Sequence, residues 1–430
     1  MSQRRLGLPT ATALVIASMV GAGVFTSSGY ALADLGSRGY VLLAWVVGGI
    51  IALCGALCYT ALLRRMPESG GEYYYLSRTV HPLAGFLAGW VSLLAGFTAP
   101  IAVAAIALAR YLGPATGLAL DPNGTATAAI LLALVMHGLH LGSGARLQNG
   151  IVALKLLLLL AFVLLGLLRM PDLTVASSGA TPASPPPFDI RAFAVTLVWI
   201  SFAYSGWNAT SYIAGEVRDP ERNATRSLWL GCVIVAVTYV VLNAVFLYAA
   251  PIAELSGKAE VAAIAAQALG GRKLEVFLSS IVALALFTSI SSMIMIGPRV
   301  YARMAEDGLF PRLFRQETAV PIRAMALQAI LAISVVWISD LQRLLGYIGF
   351  TLGISAAATV LALIHQRRKL GAATIPMPGY PVVPAIYILM TLGASGFLID
   401  RKPIVALMGL GTLLAGLPLY FLWKRRSEPT

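Results

Sequence analysis

An all-α, polytopic membrane protein of twelve spanning helices is what this sequence predicts, and three observations carry the prediction. Of its 430 residues, 58% are hydrophobic and 11% charged, which is more apolar surface than one soluble core could bury. Stretches of about 20 residues without a charge recur along the chain, long enough to cross the hydrocarbon layer as helices. Two of these stretches carry flaws at mid-span, Gly21-Ala22-Gly23 and Phe202-Ala203-Tyr204-Ser205-Gly206. A helix in lipid satisfies its own backbone, and each glycine weakens it by about 1 kcal/mol relative to alanine, so a break there needs a reason. Unwound backbone at bilayer depth is tolerated where it lines a polar cavity, and its freed N–H and C=O groups then become ligands for a charged or zwitterionic solute.

The spans fall near 9–33, 40–63, 83–112, 125–141, 148–169, 192–215, 227–250, 274–298, 324–339, 344–365, 382–399 and 403–423. With the interruptions in the first and sixth, the spacing predicts a five-plus-five inverted repeat, because an odd number of spans turns the second copy over. The chain then reads as a single membrane domain over 1–430, a ten-helix core at 8–365 with two additional helices at 382–423. The first span follows a five-residue basic start, Met1 to Arg5, and is long enough to stay as a span, so no cleavable signal is expected. A net charge of +13 would suit a nucleic-acid partner, but its placement argues otherwise. Lysine and arginine favour the inner-facing segments by roughly two to one, which places both termini in the cytoplasm and predicts a bilayer and no nucleic acid as surroundings.

Taken in order, the spans carry few groups with chemistry. In span two, Gly48-Gly49 and Gly55 serve close helix packing, and Cys54 and Cys58 lie one turn apart as small packing residues, as does Cys232 at the start of span seven. His137 and His140 in span four sit at i and i+3 but lack a third ligand nearby, so packing is expected there, with no metal or cofactor. Lys155 stands deep in span five, where a buried ammonium costs about 2.5–3.5 kcal/mol on insertion scales and requires a partner. Carbonyls around Met19 to Gly21 and the hydroxyls of Ser289, Ser291 or Ser292 are the candidates. The outer loop from Met170 to Asp189, with Pro185-Pro186-Pro187, reads as an extended connector. Glu216 ends span six on the inner side, where it is expected to pair with loop arginines as a gate. The segment Tyr301 to Arg323 mixes basic residues with Leu309, Phe310, Leu313 and Phe314 and is expected to lie along the interface.

All 18 carboxylates fall in loops or at span ends, so no acid is expected at mid-membrane to hold a cationic solute, and a neutral one is favoured. An embedded enzyme would need paired aspartates or a zinc-binding His-Glu motif, and a channel would need a filter loop or rings of like residues; neither pattern occurs in the sequence.

Four motifs in order then carry a resemblance. Val20-Gly21-Ala22-Gly23-Val24-Phe25, the stretch Pro67-Glu68-Ser69-Gly70-Gly71-Glu72-Tyr73-Tyr74-Tyr75-Leu76, Ala203-Tyr204-Ser205-Gly206-Trp207-Asn208 with Glu216, and Gly297-Pro298-Arg299-Val300-Tyr301 with Asp307-Gly308-Leu309-Phe310-Pro311 resemble the amino acid–polyamine–organocation transporters. The branch resembled is that of bacterial relatives of the L-type amino acid transporters. The resemblance implies a leucine-transporter type fold and secondary transport of an amino acid in a bacterial inner membrane. It implies a substrate site at Val20, Gly21, Ala22, Gly23, Phe202, Ala203, Ser205, Gly206 and Asn208, with Phe202 closing from outside. The second half of span one is expected to start near Gly23 and offer N–H groups to a carboxylate, and the first half of span six to end near Phe202 and offer carbonyls to an ammonium. Glycine at 21 and 23 would let the ligand approach the backbone. Asn208 replaces a glutamate of the arginine–agmatine antiporters, against a dication. In sodium-independent relatives a span-five lysine takes the place of a sodium ion between spans one and eight, which gives Lys155, Ser289 and Ser292 a coupling role. The outer loop Gly113 to Gly124 lacks the cysteine by which animal L-type transporters bond a heavy chain, so no such partner is expected.

Overall fold

The computed structural model describes residues 6–138, 144–177, 186–315 and 321–427. His140 and residues 178–185, with Pro185, lie outside the described residues; the connector expected to be extended from Met170 is instead helical as far as Ser177, where the helix Gly144–Ser177 ends. In chain order the helices are α1 Leu8–Met19, α2 Ala22–Leu35, α3 Arg38–Arg65, α4 Gly71–Thr79, α5 Pro82–Val91, α6 Ala99–Thr116, α7 Pro122–Gly138, α8 Gly144–Ser177 and α9 Ile190–Tyr204. They continue as α10 Ala209–Tyr212, α11 Pro220–Ala249, α12 Ile252–Leu255, α13 Val261–Glu306, α14 Ile322–Ile338, α15 Leu341–Leu370, α16 Val382–Arg401 and α17 Pro403–Ser427. Among the described residues, 9 helical stretches are long and apolar enough to cross a membrane. The shorter α7, α9 and α14 supply the other three of the twelve expected spans.

Chain chemistry explains the punctuation. The first span is two helices, α1 and α2, and α2 closes on Gly36 in the left-handed region. The third span is continuous from α5 to α6 but passes through a π-helical stretch at Ser92–Thr98. Pro100 lacks an N–H, which removes a rung from the ladder one turn upstream and leaves the chain free to widen there. The sixth span breaks between α9 and α10. In α13, Gly270 and Gly271 have non-helical backbone angles and separate a short outer segment from the eighth span.

One continuous core runs through the bundle, built from α1, α2, α3, α6, α9, α11 and α13. Leu157, Leu168, Ile338 and Leu389 stand exposed, as expected for helices whose outer faces meet lipid rather than water. In the segment Tyr301 to Arg323, expected along the interface, residues 316–320 lie outside the described residues; α13 continues to Glu306, and Phe310, expected on the interfacial face, is buried against Tyr301, Phe314 and Trp423. Its ring has aromatic partners from α17 and so packs inward.

Candidate functional site

The break in span one lies at Val20 and Gly21. Gly21 occupies the N-cap of α2 and, having no side chain, caps nothing. The N–H groups of Ala22, Gly23 and Val24 meet no backbone acceptor among the described residues. The carbonyls on the other side of the break are engaged. Met19 O accepts from the Tyr239 hydroxyl at 2.6 Å and from Gly21 N–H at 2.8 Å. Val20 O accepts from Lys155 Nζ at 3.3 Å, and that side chain, from α8, is 1% exposed. What remains free is a set of donors at the positive end of a helix dipole, which suits an anion.

Span six shows the opposite polarity. α9 runs to Tyr204, two residues past the expected end, because Ser205 N–H closes a last turn on Phe202 O at 2.9 Å. No backbone N–H among the described residues reaches the carbonyls of Ala203 or Tyr204. Gly206 has φ +96°, and a Cβ there would come within 2.7 Å of Ser18 O, so both its angle and its neighbour demand glycine. The chain then turns through Trp207 and Asn208 into α10.

The two breaks touch. A Cβ on Gly23 would lie 2.4 Å from Ala203 Cα, so this glycine is needed for one broken helix to pass the other. That corrects the expected reason, which was room for a ligand at the backbone. Gly21 is different, with only the Ser289 hydroxyl near its missing Cβ, at 3.2 Å.

Between the breaks lies a cavity of about 120 Å³, lined by Gly21, Ala22, Gly23, Phe202, Ala203, Ser205, Gly206, Asn208 and Ser289 among others. Of the residues expected in the site, Val20 is buried behind the lining, and Lys155 and Ser292 also stand outside it. Ser291 is paired with His137, Oγ to Nε2 at 2.7 Å, which answers for that histidine. The π-helical turn contributes Gly96 and Phe97 to the wall, a contribution signalled in the sequence only by Pro100.

Glu72 was expected in a loop, and it does lie outside the spans, in α4. The helix folds inward, so that the carboxyl lines the cavity and is 4% exposed. Its Oε1 accepts from Tyr59 Oη and from Asn208 Nδ2, each at 2.8 Å, and Tyr212 Oη bonds Oε2. Burial raises its pKa above the ordinary value, and the bonds from Tyr212, Tyr59 and Asn208 oppose that shift. The premise that no acid approaches the solute is therefore corrected. Three neutral donors nevertheless occupy this carboxyl, and among the described residues it has no ion-pair partner.

Toward one end of the bundle, span six is tied to its neighbours. Glu216 pairs with Arg299 at the end of the eighth span, Oε1 to Nε at 2.7 Å. Leu6 forms an isolated parallel bridge with Val217, exchanging N–H and C=O contacts with Glu216 and Arg218. Tyr73 Oη donates to Asp307 at 2.6 Å beside Arg303.

Two discontinuous spans of opposite polarity facing a shared cavity define a multi-pass membrane carrier. The chain belongs to the amino acid permease family, whose model matches residues 6–411. It is similar to the large neutral amino acids transporter small subunit 2 of Homo sapiens, 28% identical over 440 residues, covering 99% of this chain and 82% of that protein. It is also similar to the Asc-type amino acid transporter 1 of Mus musculus, 27% identical over 99% of this chain and 82% of that protein. The cystine/glutamate transporter of Homo sapiens is 25% identical over 99% of this chain and 87% of its own.

Proposed function

We propose that this chain is a secondary transporter that carries neutral L-amino acids by alternating access, as a sodium-independent exchanger or a proton-coupled carrier. One observation carries the reading: Ala22 and Gly23, with free backbone donors in span one, and Ala203 and Tyr204, with free backbone acceptors in span six, line the same cavity. An α-carboxylate fits the first and an α-ammonium the second. Ser205, Gly206 and Asn208 bound the side-chain space, and Phe202 closes it on the outer side. The saturated carboxyl of Glu72 needs no cationic side chain, which keeps neutral amino acids as the favoured class.

Lys155 in this reading fills the place of sodium by holding the Val20 carbonyl. The first ten spans form two inverted five-span units, the last two spans are appended, and both termini face the cytoplasm of a bacterial inner membrane. Glu216 and Arg299 form the inner gate. One relative is named a small subunit; this chain, with no cysteine between Gly113 and Gly124, works without a disulfide-linked heavy chain. Purified protein in liposomes should take up a labelled neutral amino acid, show trans-stimulation by internal substrate, and do so equally in sodium and choline buffers. Uptake that requires sodium, or a second polypeptide, would sink the reading.

A further inference from the structure

Away from the central cavity, at the end of the bundle that carries Glu216 and Arg299, a cleft of about 390 Å³ opens between the end of α3 and the start of α11. Arg64, Arg222 and Arg226 line it together with Glu221 and Thr225. None of the three guanidinium groups has a hydrogen bond or ion pair among the described residues, although Glu221 is beside them. Thr225 is 6% exposed, and its hydroxyl has no hydrogen-bond partner. A buried hydroxyl without a partner beside three unpaired cations is a donor set for an anion. We propose that this cleft binds the phosphate group of an anionic phospholipid.

What lies along the same helix faces selects lipid over a soluble phosphate. Arg222 and Arg226 share one face of α11 with Trp229 and Val237, whose side chains are exposed. On α3, Arg64 continues the row of Ile50 and Leu57 at heptad spacing, and Ile50 is exposed. The cations therefore top an apolar surface of the kind acyl chains cover, with an exposed tryptophan between charge and hydrocarbon at the depth where indoles settle. Glu221 at the rim opposes a second anionic group, so a single phosphodiester fits better than a polyanion. α11 begins three residues after the Val217 bridge to Leu6, so a lipid held here braces that bridge.

The test uses the full-length protein in neutral detergent, with thermal unfolding followed while phosphatidylglycerol, phosphatidylcholine or inorganic phosphate is titrated. Phosphatidylglycerol should stabilise the wild type, phosphatidylcholine much less. Arg222→Gln with Arg226→Gln should raise the half-saturating phosphatidylglycerol concentration about thirtyfold, at about fivefold per surface cation. Arg64→Gln and Thr225→Val, each singly, should raise it several-fold and keep the proposal testable if the double variant does not fold. Arg368→Gln with Lys369→Gln, basic positions outside the cleft, should leave it within about twofold. Unchanged phosphatidylglycerol affinity in the cleft variants, or equal losses in the Arg368/Lys369 control, would overturn the site. Stabilisation by inorganic phosphate alone, lost in the cleft variants, would replace the lipid with a soluble anion and overturn that assignment.

Discussion

The break in span one and the break in span six each interrupt a spanning helix at a glycine, and they are opposite in what they offer. In span one, Tyr239 and Lys155 take the carbonyls of Met19 and Val20 and leave donors. In span six, Ser205 takes Phe202 O and leaves the acceptors of Ala203 and Tyr204. A break thus has no polarity of its own beyond its helix dipoles. The neighbours that consume one set of groups decide which set a solute meets.

The strongest way to break that comparison is at the point where the spans cross. Gly206→Ala places a Cβ against Ser18 O at a positive φ, and Gly23→Val drives two methyls into Ala203. Each should cost more than about 2 kcal/mol and abolish uptake, and Gly23→Val should also lower the melting temperature, since its glycine serves packing. A Gly23→Val protein with unaltered stability and lost binding would restore the ligand-approach account. Next comes the cation that makes span one a donor. Lys155→Ala removes the partner of Val20 O, at about 1–3 kcal/mol for an unsatisfied buried carbonyl, and should reduce uptake at least tenfold while leaving a folded, monodisperse protein.

A sharper comparison comes from the ligand. Methyl esters remove the charge that span one binds and N-acetyl derivatives the charge that span six binds, so each should compete about tenfold or more worse than the parent amino acid. If only one derivative loses affinity, one break carries the recognition alone. The smallest effect is expected at Glu72. Its folded pKa is raised, so the stability that the neutral carboxyl confers is complete below the ordinary value of 4.5 and is lost as pH rises through the raised value. Melting temperature should fall as pH rises from 4.5 to the raised value in the wild type, level off above it, and show no such fall in Glu72→Gln. Parallel curves for the two proteins would remove Glu72 from the titration.

The span count and the two interruptions were legible because composition and glycine placement are local signals. Lys155 was legible for the same reason, since a buried cation announces a need for a partner, and one of the candidate carbonyls, Val20 O, meets it. The exact helix ends were not, because Ser205 and Gly21 form turn bonds that depend on geometry. Tyr239 on Met19 O joins residues 220 positions apart, and the inward fold of α4 that brings Glu72 to Asn208 spans 136. Contacts of that range leave no periodic trace in sequence. The unpaired arginines between α3 and α11 were counted as topology, because their meeting in one cleft depends on the packing of two helices.

The π-helical turn of span three has a consequence best put as angular phase. A π-turn holds one residue more than an α-turn, and one α-helical residue is about 100° of rotation, so α6 is set at a different azimuth from α5 than an unbroken α-helix would give. Deleting one residue within Ser92–Thr98 would rotate everything on one side by that angle, sending Gly96 and Phe97 off the cavity wall while leaving composition and hydropathy almost unchanged. The wall of this cavity is therefore fixed by the count of residues in one turn as much as by their identity.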